Sequence, residues 1–174
     1  MPYTYFLELM VADVLSRAGN PFEVKIYNRG INGDLTANMV RRFQRDVVDL
    51  KPDYVIVLGG SNDIGWGLRV GEIFDNLRRI YVKALEESIE PIACTVPSIL
   101  GVDELIPPRR ELNRLIAQYC TENGLAFVDL FTATADPDTG RLLEQYSDDG
   151  LHLTEEGYMR IAEEIFVKAL KEIT

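Results

Sequence analysis

The sequence predicts an α/β fold in which helices cover both faces of a parallel sheet, a three-layer α/β/α sandwich. Strand-like segments alternate with helix-like segments along the chain, which is the order that strand–helix–strand units produce. Residues 54–58, Tyr-Val-Ile-Val-Leu, form a continuous apolar run, and such runs are typical of parallel strands covered on both faces. The chain has 174 residues without an internal repeat or a linker, so we expect one domain over residues 1–174.

Each element is predicted from the spacing of its apolar side chains. Apolar residues three and four positions apart indicate helices, and short apolar runs between turn residues indicate strands. The predicted helices are residues 5–18, 36–50, 70–87, 111–123 and 154–172. The predicted strands are residues 23–28, 53–60, 91–96 and 126–130. Gly124 is typical of a helix C-terminus and Thr154 of an N-cap.

The composition excludes several classes of protein. Hydrophobic residues make up 47% and charged residues 26%, which is typical of a globular domain and not of a disordered chain. Acidic residues number 28 against 18 basic ones, a net charge of −10 without a basic run, so we expect no nucleic-acid partner. No apolar stretch is long enough for a membrane span. The first residues carry Glu8 and Asp13 instead of a basic signal-peptide start, so we expect a cytoplasmic location.

The two cysteines, Cys94 and Cys120, lack the spacing of metal ligands, and we expect them to be buried reduced thiols. The chain has one histidine, His152, so any imidazole chemistry must use it. Ligands bind at the carboxyl ends of parallel strands, so candidate site residues are sought in the loops that follow the strands.

The first such loop contains Asn32-Gly33-Asp34. One interpretation is a plain turn, in which Asp34 or Thr36 caps the next helix. The other is functional: Gly33 has no side chain, so its N–H can donate a hydrogen bond to an anion in the cleft.

The second loop, residues 59–63, reads Gly-Gly-Ser-Asn-Asp and follows the most apolar strand. It is interpreted either as a glycine-rich turn or as a turn that directs the Asn62 amide over the sheet edge. It has neither the glycine spacing of a dinucleotide-binding loop nor the Gly-Lys-Ser/Thr of a phosphate-binding loop.

The third loop, residues 147–152, reads Ser-Asp-Asp-Gly-Leu-His. Asp149, three residues before His152, can accept a hydrogen bond from the imidazole, orient the ring and leave its other nitrogen free as a general base. The alternative is a surface turn with an unrelated histidine.

Together these loops resemble the SGNH (GDSL-type) lipase, esterase and acylhydrolase family. Gly33 matches the glycine of its second block, Gly60-Ser61-Asn62-Asp63 matches its Gly-x-Asn-Asp block, and residues 149–152 match its Asp-x-x-His block. The resemblance extends over the whole chain and implies the SGNH hydrolase fold with a flavodoxin-like sheet. It also implies Gly33 and Asn62 as oxyanion-hole donors, His152 as the base and Asp149 as the residue that orients it. The family needs no cofactor and no metal.

The family's first block, a strand ending in Gly-Asp-Ser with the nucleophilic serine, has no counterpart here. Met1 falls where the next helix begins, so we expect a domain that lacks its first strand, about 20 residues, and is inactive or nearly so. The chain's serines are Ser16, Ser61, Ser88, Ser98 and Ser147, and we expect none of them to follow a strand and a glycine turn that would expose its hydroxyl to His152.

In the family's strand order, 2-1-3-4-5, the missing strand lies between residues 23–28 and 53–60. Its absence leaves these neighbours about 9.6 Å apart, twice the spacing of paired strands. We expect them to close and pair near Ile26 and Val55; the alternative is that a segment from elsewhere, such as a second copy, fills the gap.

The sequence therefore predicts an ester hydrolase with a Ser-His-Asp triad whose serine is missing, acting on a small-molecule ester. The acyl and alcohol groups are not readable, and a homo-oligomer is left open. One alternative is a non-catalytic module of the same fold that binds a small ester or carbohydrate. A second is a flavodoxin-like nucleotide or phosphate binder, although the chain has no phosphate-binding motif.

Overall fold

The computed structural model of the protein describes residues 1–21 and 23–170. The helices are α1 (Tyr3–Arg17), α2 (Thr36–Asp46), α3 (Ser61–Gly65), α4 (Val70–Glu86), α5 (Ile106–Asn123), α6 (Leu130–Thr134) and α7 (Glu155–Ile165). The strands are β1 (Tyr54–Val57), β2 (Glu90–Cys94) and β3 (Ala126–Val128). Short 3-10 turns occupy Val48–Leu50, Asp103–Leu105 and Glu144–Tyr146, and a π-helical turn, Phe166–Leu170, follows α7.

The three strands form one parallel sheet in the order β1-β2-β3. Val57 pairs with Ala93, and Cys94 pairs with Val128, so the carboxyl ends of all three strands lie at one edge. The loops that follow the strands therefore share this edge, which we call the carboxyl edge.

Helices cover both faces of the sheet, as the sequence predicts. On one face α2, α4 and α5 contribute to a buried cluster that includes Phe43, Leu77 and Leu112. On the other face α1 and α7 pack against β2 and β3, with Leu7 and Ile161 fully buried. The three-layer α/β/α fold class is confirmed. No helix in residues 1–21 and 23–170 is both long enough and apolar enough to cross a membrane.

The strand predicted at residues 23–28 is wrong. This segment pairs with no strand in the part of the chain that the structure describes, and the expected ladder between Ile26 and Val55 is not formed. Ile26 instead packs its side chain against the buried cluster that contains Leu7 and Ile92. Most of the segment is exposed, so water can satisfy its backbone groups and no buried gap forces the two segments together.

Other boundaries also differ from the predictions, and three of these differences have a local explanation. The helix predicted at 36–50 stops at Asp46, because Val47 leaves helical geometry (φ −126°), and a 3-10 turn follows. Helix α5 begins at Ile106 instead of residue 111, since prolines are tolerated in a first turn, where their missing N–H has no helical partner. The strand predicted at 126–130 ends at Val128, and Asp129 caps the short α6 by accepting from the N–H of Thr132 at 3.1 Å.

The two predicted helix ends are confirmed. Thr154 caps α7, its hydroxyl accepting a hydrogen bond from the N–H of Gly157 at 3.2 Å. Gly124 ends α5 in the left-handed conformation, with φ 66°. The last two residues of the helix predicted at 154–172 lie outside the described residues.

Candidate active site

The Asp149–His152 loop is closed by its own hydrogen bonds. Ser147 and Leu153 form an antiparallel bridge across its base. One oxygen of Asp149, Oδ1, accepts the backbone N–H groups of Leu151 at 2.9 Å and His152 at 2.7 Å. The other, Oδ2, lies 2.6 Å from Nδ1 of the His152 ring. The carboxylate therefore fixes both the loop backbone and the ring.

The hydrogen bonds around Asp149 determine which atoms of the Asp149–His152 pair carry a proton. The hydrogen bond with the His152 ring, and then those from the backbone N–H groups of His152 and Leu151, hold the pKa of Asp149 well below its usual range. An ionised carboxylate only accepts hydrogen bonds, so Nδ1 must carry the proton. Nε2 is then the basic nitrogen, and the His152 side chain is 78% exposed, so a bound molecule can reach it.

The loop is fastened to the carboxyl edge of the sheet. The carbonyl of Gly150 accepts the N–H of Leu100, in the loop after β2, at 2.8 Å. A Cβ at position 150 would lie 2.2 Å from the Leu100 oxygen, and φ is 82° there, so this contact requires glycine.

The loops of Gly33 and Asn62 are joined to each other at the same edge. Asn62 lies in α3, directly after β1, and its Nδ2 donates to the carbonyl of Asp34 at 3.0 Å. The amide has a second N–H, which this bond leaves available. Gly33 has φ 76° in a turn closed by the N–H of Asp34 and the carbonyl of Ile31, and its own N–H has no partner within residues 1–21 and 23–170.

The role of Asp63 is not evident from the sequence. This carboxylate is 1% exposed, and both of its oxygens accept the backbone N–H of Thr36 at 3.1 Å. One oxygen also accepts the Thr36 hydroxyl at 2.6 Å, and Asn76 donates to that hydroxyl at 3.1 Å. A carboxylate at a helix N-terminus is favourable, but Asp63 lies 27 residues from the helix start that it binds, so no local sequence pattern identifies it. The predicted cap by Asp34 or Thr36 is wrong: Leu35 occupies the N-cap without a side-chain bond.

No described serine donates to the His152 ring. The Ser147 hydroxyl donates to the His152 backbone carbonyl at 2.7 Å, and the Ser61 hydroxyl accepts from Arg109 Nη2 at 2.9 Å. The remaining serines lie in α1 (Ser16), after α4 (Ser88) and in the loop after β2 (Ser98). In the part of the chain that the structure describes, no three His, Cys, Asp or Glu side chains are grouped so that they could hold a metal ion.

The sequence matches the GDSL-like Lipase/Acylhydrolase family over residues 7–160. A curated relative, an acetylxylan esterase from Geobacillus stearothermophilus, is 26% identical over 61% of this chain; the match spans only about half (54%) of that relative.

Solved structures share the fold. A GDSL-like lipase from Bacteroides thetaiotaomicron has a TM-score of 0.75 at 23% identity, with 99% of this chain and 85% of that chain covered. A mutant of an acetyl-xylooligosaccharide esterase from Geobacillus has a TM-score of 0.79 at 21% identity, with 97% and 80% covered. The family match covers most of the chain, and the same fold recurs in these structures. The chain belongs to the GDSL-like lipase/acylhydrolase family.

Proposed function

We propose that this chain carries the base and the oxyanion donors of a serine ester hydrolase. The observation that carries the proposal is the 2.6 Å contact between Asp149 and the Nδ1 of His152, on a loop fastened to the carboxyl edge. Asn62 and Gly33 supply hydrogen-bond donors at the same edge. A general base beside such donors is the arrangement that acyl transfer requires.

The residues then act in a defined order. A serine hydroxyl attacks the ester carbonyl carbon, and its proton passes to Nε2 of His152. The Gly33 N–H and the Asn62 amide stabilise the negative charge on the carbonyl oxygen. The carbon–oxygen bond to the alcohol breaks, the alcohol takes the proton from His152, and water releases the acid by the same route. Asp149 stays ionised and stabilises the imidazolium.

We further propose that the substrate is a short acyl ester, such as an acetyl group on a carbohydrate. The support is the curated relative, whose name describes deacetylation of xylan. The nucleophile is proposed to come from outside residues 1–174, because no described serine bonds to the His152 ring.

The lack of a described serine bonded to the His152 ring also favours a second candidate, a non-catalytic module that binds an ester or carbohydrate. The experiment that separates the two compares this chain with the product of the same reading frame extended upstream of Met1. Hydrolysis of p-nitrophenyl acetate and of acetylated xylo-oligosaccharides is measured for both forms. Each form is also made as His152→Gln.

The hydrolase proposal expects an upstream strand ending in Gly-Asp-Ser and hydrolysis by the longer form. His152→Gln should lower that rate by about 10²–10⁴-fold. In the 174-residue chain the same substitution should leave the rate of hydrolysis unchanged, because the nucleophile is absent. Xylo-oligosaccharide binding without hydrolysis by either form would instead establish the binding module. Hydrolysis by the 174-residue chain that depends on His152 would contradict an external nucleophile and implicate Ser147.

A further inference from the structure

A buried arginine lies beneath the first turn of α3. Arg109, on α5, is 1% exposed and is among the largest fully buried side chains in residues 1–21 and 23–170. Its Nη2 donates to the Ser61 hydroxyl at 2.9 Å, its Nη1 lies 3.4 Å from the Leu105 carbonyl, and its Nε is buried without a partner. No carboxylate in residues 1–21 and 23–170 forms an ion pair with it.

Burial of this guanidinium is unfavourable. A buried cation needs a counter-charge or a full set of hydrogen bonds, and Arg109 has neither. Accordingly, desolvation lowers the pKa of Arg109. A methionine of similar volume would fill the site without this penalty. The buried guanidinium therefore does not stabilise the fold. Its hydrogen bond to Ser61 can instead fix the position of α3.

The three residues that open α3 are each tied to a different element. Ser61 is held by α5, Asn62 by the carbonyl of Asp34, and Asp63 by the N-terminus of α2. A helix of five residues is far too short to be stable alone, so these anchors determine where it lies. Asn62 stands between a partly buried anchor at Ser61 and a fully buried one at Asp63.

Helix α5 also holds the loop after β2. One turn beyond Arg109, the Asn113 amide accepts the Val96 N–H at 2.7 Å and donates to the Val96 carbonyl at 2.9 Å. That loop continues to Leu100, which bonds the carbonyl of Gly150 in the histidine loop. Helix α5 thus holds both the segment that carries Asn62 and the loop to which the His152 loop is bonded.

We propose that Arg109 is a positioning residue for the oxyanion donor: its guanidinium holds Ser61 so that the neighbouring Asn62 amide keeps its direction at the site. The inference rests on the proposed function, because only ester hydrolysis makes Asn62 an oxyanion donor. The hydrogen bond to Ser61 is maintained at the cost of burying the guanidinium. Removal of the arginine should therefore keep or raise the stability of the fold, while it loosens the hold on α3.

The test uses the 174-residue chain and the variants Arg109→Met, Ser61→Ala and Ile116→Val. Ile116 is fully buried on α5, seven positions beyond Arg109, and its apolar side chain forms no hydrogen bond to α3, so it is the control for a general loss of stability. Amide hydrogen exchange is measured at Ile64 and Trp66, whose N–H groups donate to the carbonyls of Gly60 and Asn62 at 3.0 and 2.9 Å. Tm is measured for each variant.

In both Arg109→Met and Ser61→Ala, the amide hydrogens of Ile64 and Trp66 should exchange about tenfold faster than in the wild type, as expected for the loss of one hydrogen bond to a charged group. Arg109→Met should keep or raise Tm, whereas Ser61→Ala should lower it, since the cation then loses its best acceptor. Ile116→Val should lower Tm without a change specific to α3.

Unchanged α3 exchange in Arg109→Met would overturn the proposal, and so would acceleration no greater than in Ile116→Val. A large fall in Tm for Arg109→Met would show that the arginine serves stability and would also overturn it. In a form that hydrolyses esters, Arg109→Met should lower kcat about tenfold with KM unchanged, since it disturbs a group used in the transition state. Faster α3 exchange with unchanged kcat would show that Arg109 holds α3 without positioning the oxyanion donor, and would overturn the proposal, whereas the proposed function itself is tested by His152→Gln.

Discussion

Replacement of Asp63 by asparagine removes the charge that joins α2 to α3. In the wild type, both carboxylate oxygens accept the Thr36 N–H at 3.1 Å, and one also accepts the Thr36 hydroxyl at 2.6 Å. Asparagine keeps one oxygen and places an N–H₂ group where the second oxygen was. The amide cannot accept there, so the buried N–H and hydroxyl of Thr36 must share one uncharged acceptor.

The expected cost follows from these bonds. A hydrogen bond to a charged group contributes about 1.5–3 kcal/mol and a neutral one about 0.5–1.5 kcal/mol, and the fully buried Thr36 has no access to water. The loss of charge from two bonds, with some relaxation of the amide, should lower the free energy of unfolding by roughly 2–3 kcal/mol. For a chain of this length this corresponds to a fall in Tm of roughly 4–12 °C.

Urea and thermal unfolding, followed by circular dichroism, measure the effect. Asp75→Asn is the matched control, because it makes the same chemical change at an exposed carboxylate whose partner, Arg78, lies 3.3 Å away. The control should change stability by less than about 0.5 kcal/mol. A double-mutant cycle with Thr36→Val should give a coupling energy of about 1–3 kcal/mol. A stability of Asp63→Asn within about 0.5 kcal/mol of the control would refute the reasoning.

Three further predictions concern pH, thiols and a helix cap. The pKa of Asp149 is lower in the folded chain than the unfolded value of about 3.9, so its contribution to stability is complete above about pH 4 and is lost as pH falls through the folded value. The urea midpoint should therefore fall more steeply in acid for the wild type than for Asp149→Asn, and equal slopes would contradict this. Burial raises the pKa of Cys94 to about 12 and of Cys120 to about 11, so neither should react with a thiol reagent at mildly alkaline pH until urea unfolds the chain. Thr154→Ala should lower stability by about 1 kcal/mol, and Thr154→Ser, which keeps the hydroxyl, should not; equal losses would show that the cap bond is unimportant.

The features that the sequence predicts correctly depend on neighbouring residues. Apolar spacing gives the order of helices and strands, and Thr154 and Gly124 mark helix ends because capping is a contact between residues a few positions apart. The contact between Asp149 and His152 is predictable for the same reason, since the two residues are only three positions apart across one glycine turn. The catalytic roles of these residues remain proposals.

The features that it does not predict depend on packing between distant segments. Residues 23–28 have the composition of a strand, yet strand formation requires a partner at pairing distance, and the structure offers these residues none. Helix α3 reads as a glycine-rich turn because five residues have too little periodicity to indicate a helix.

The sequence by itself determined the layered α/β architecture, the family and the local hydrogen bonding of the histidine loop. Only the tertiary structure decided that Asp63 holds Thr36, 27 residues away, and that Arg109 holds Ser61, 48 residues away. A spacing rule describes contacts within one turn or one strand. Which buried polar group meets which depends on how whole helices pack on the sheet, and no pattern within a single segment contains that information.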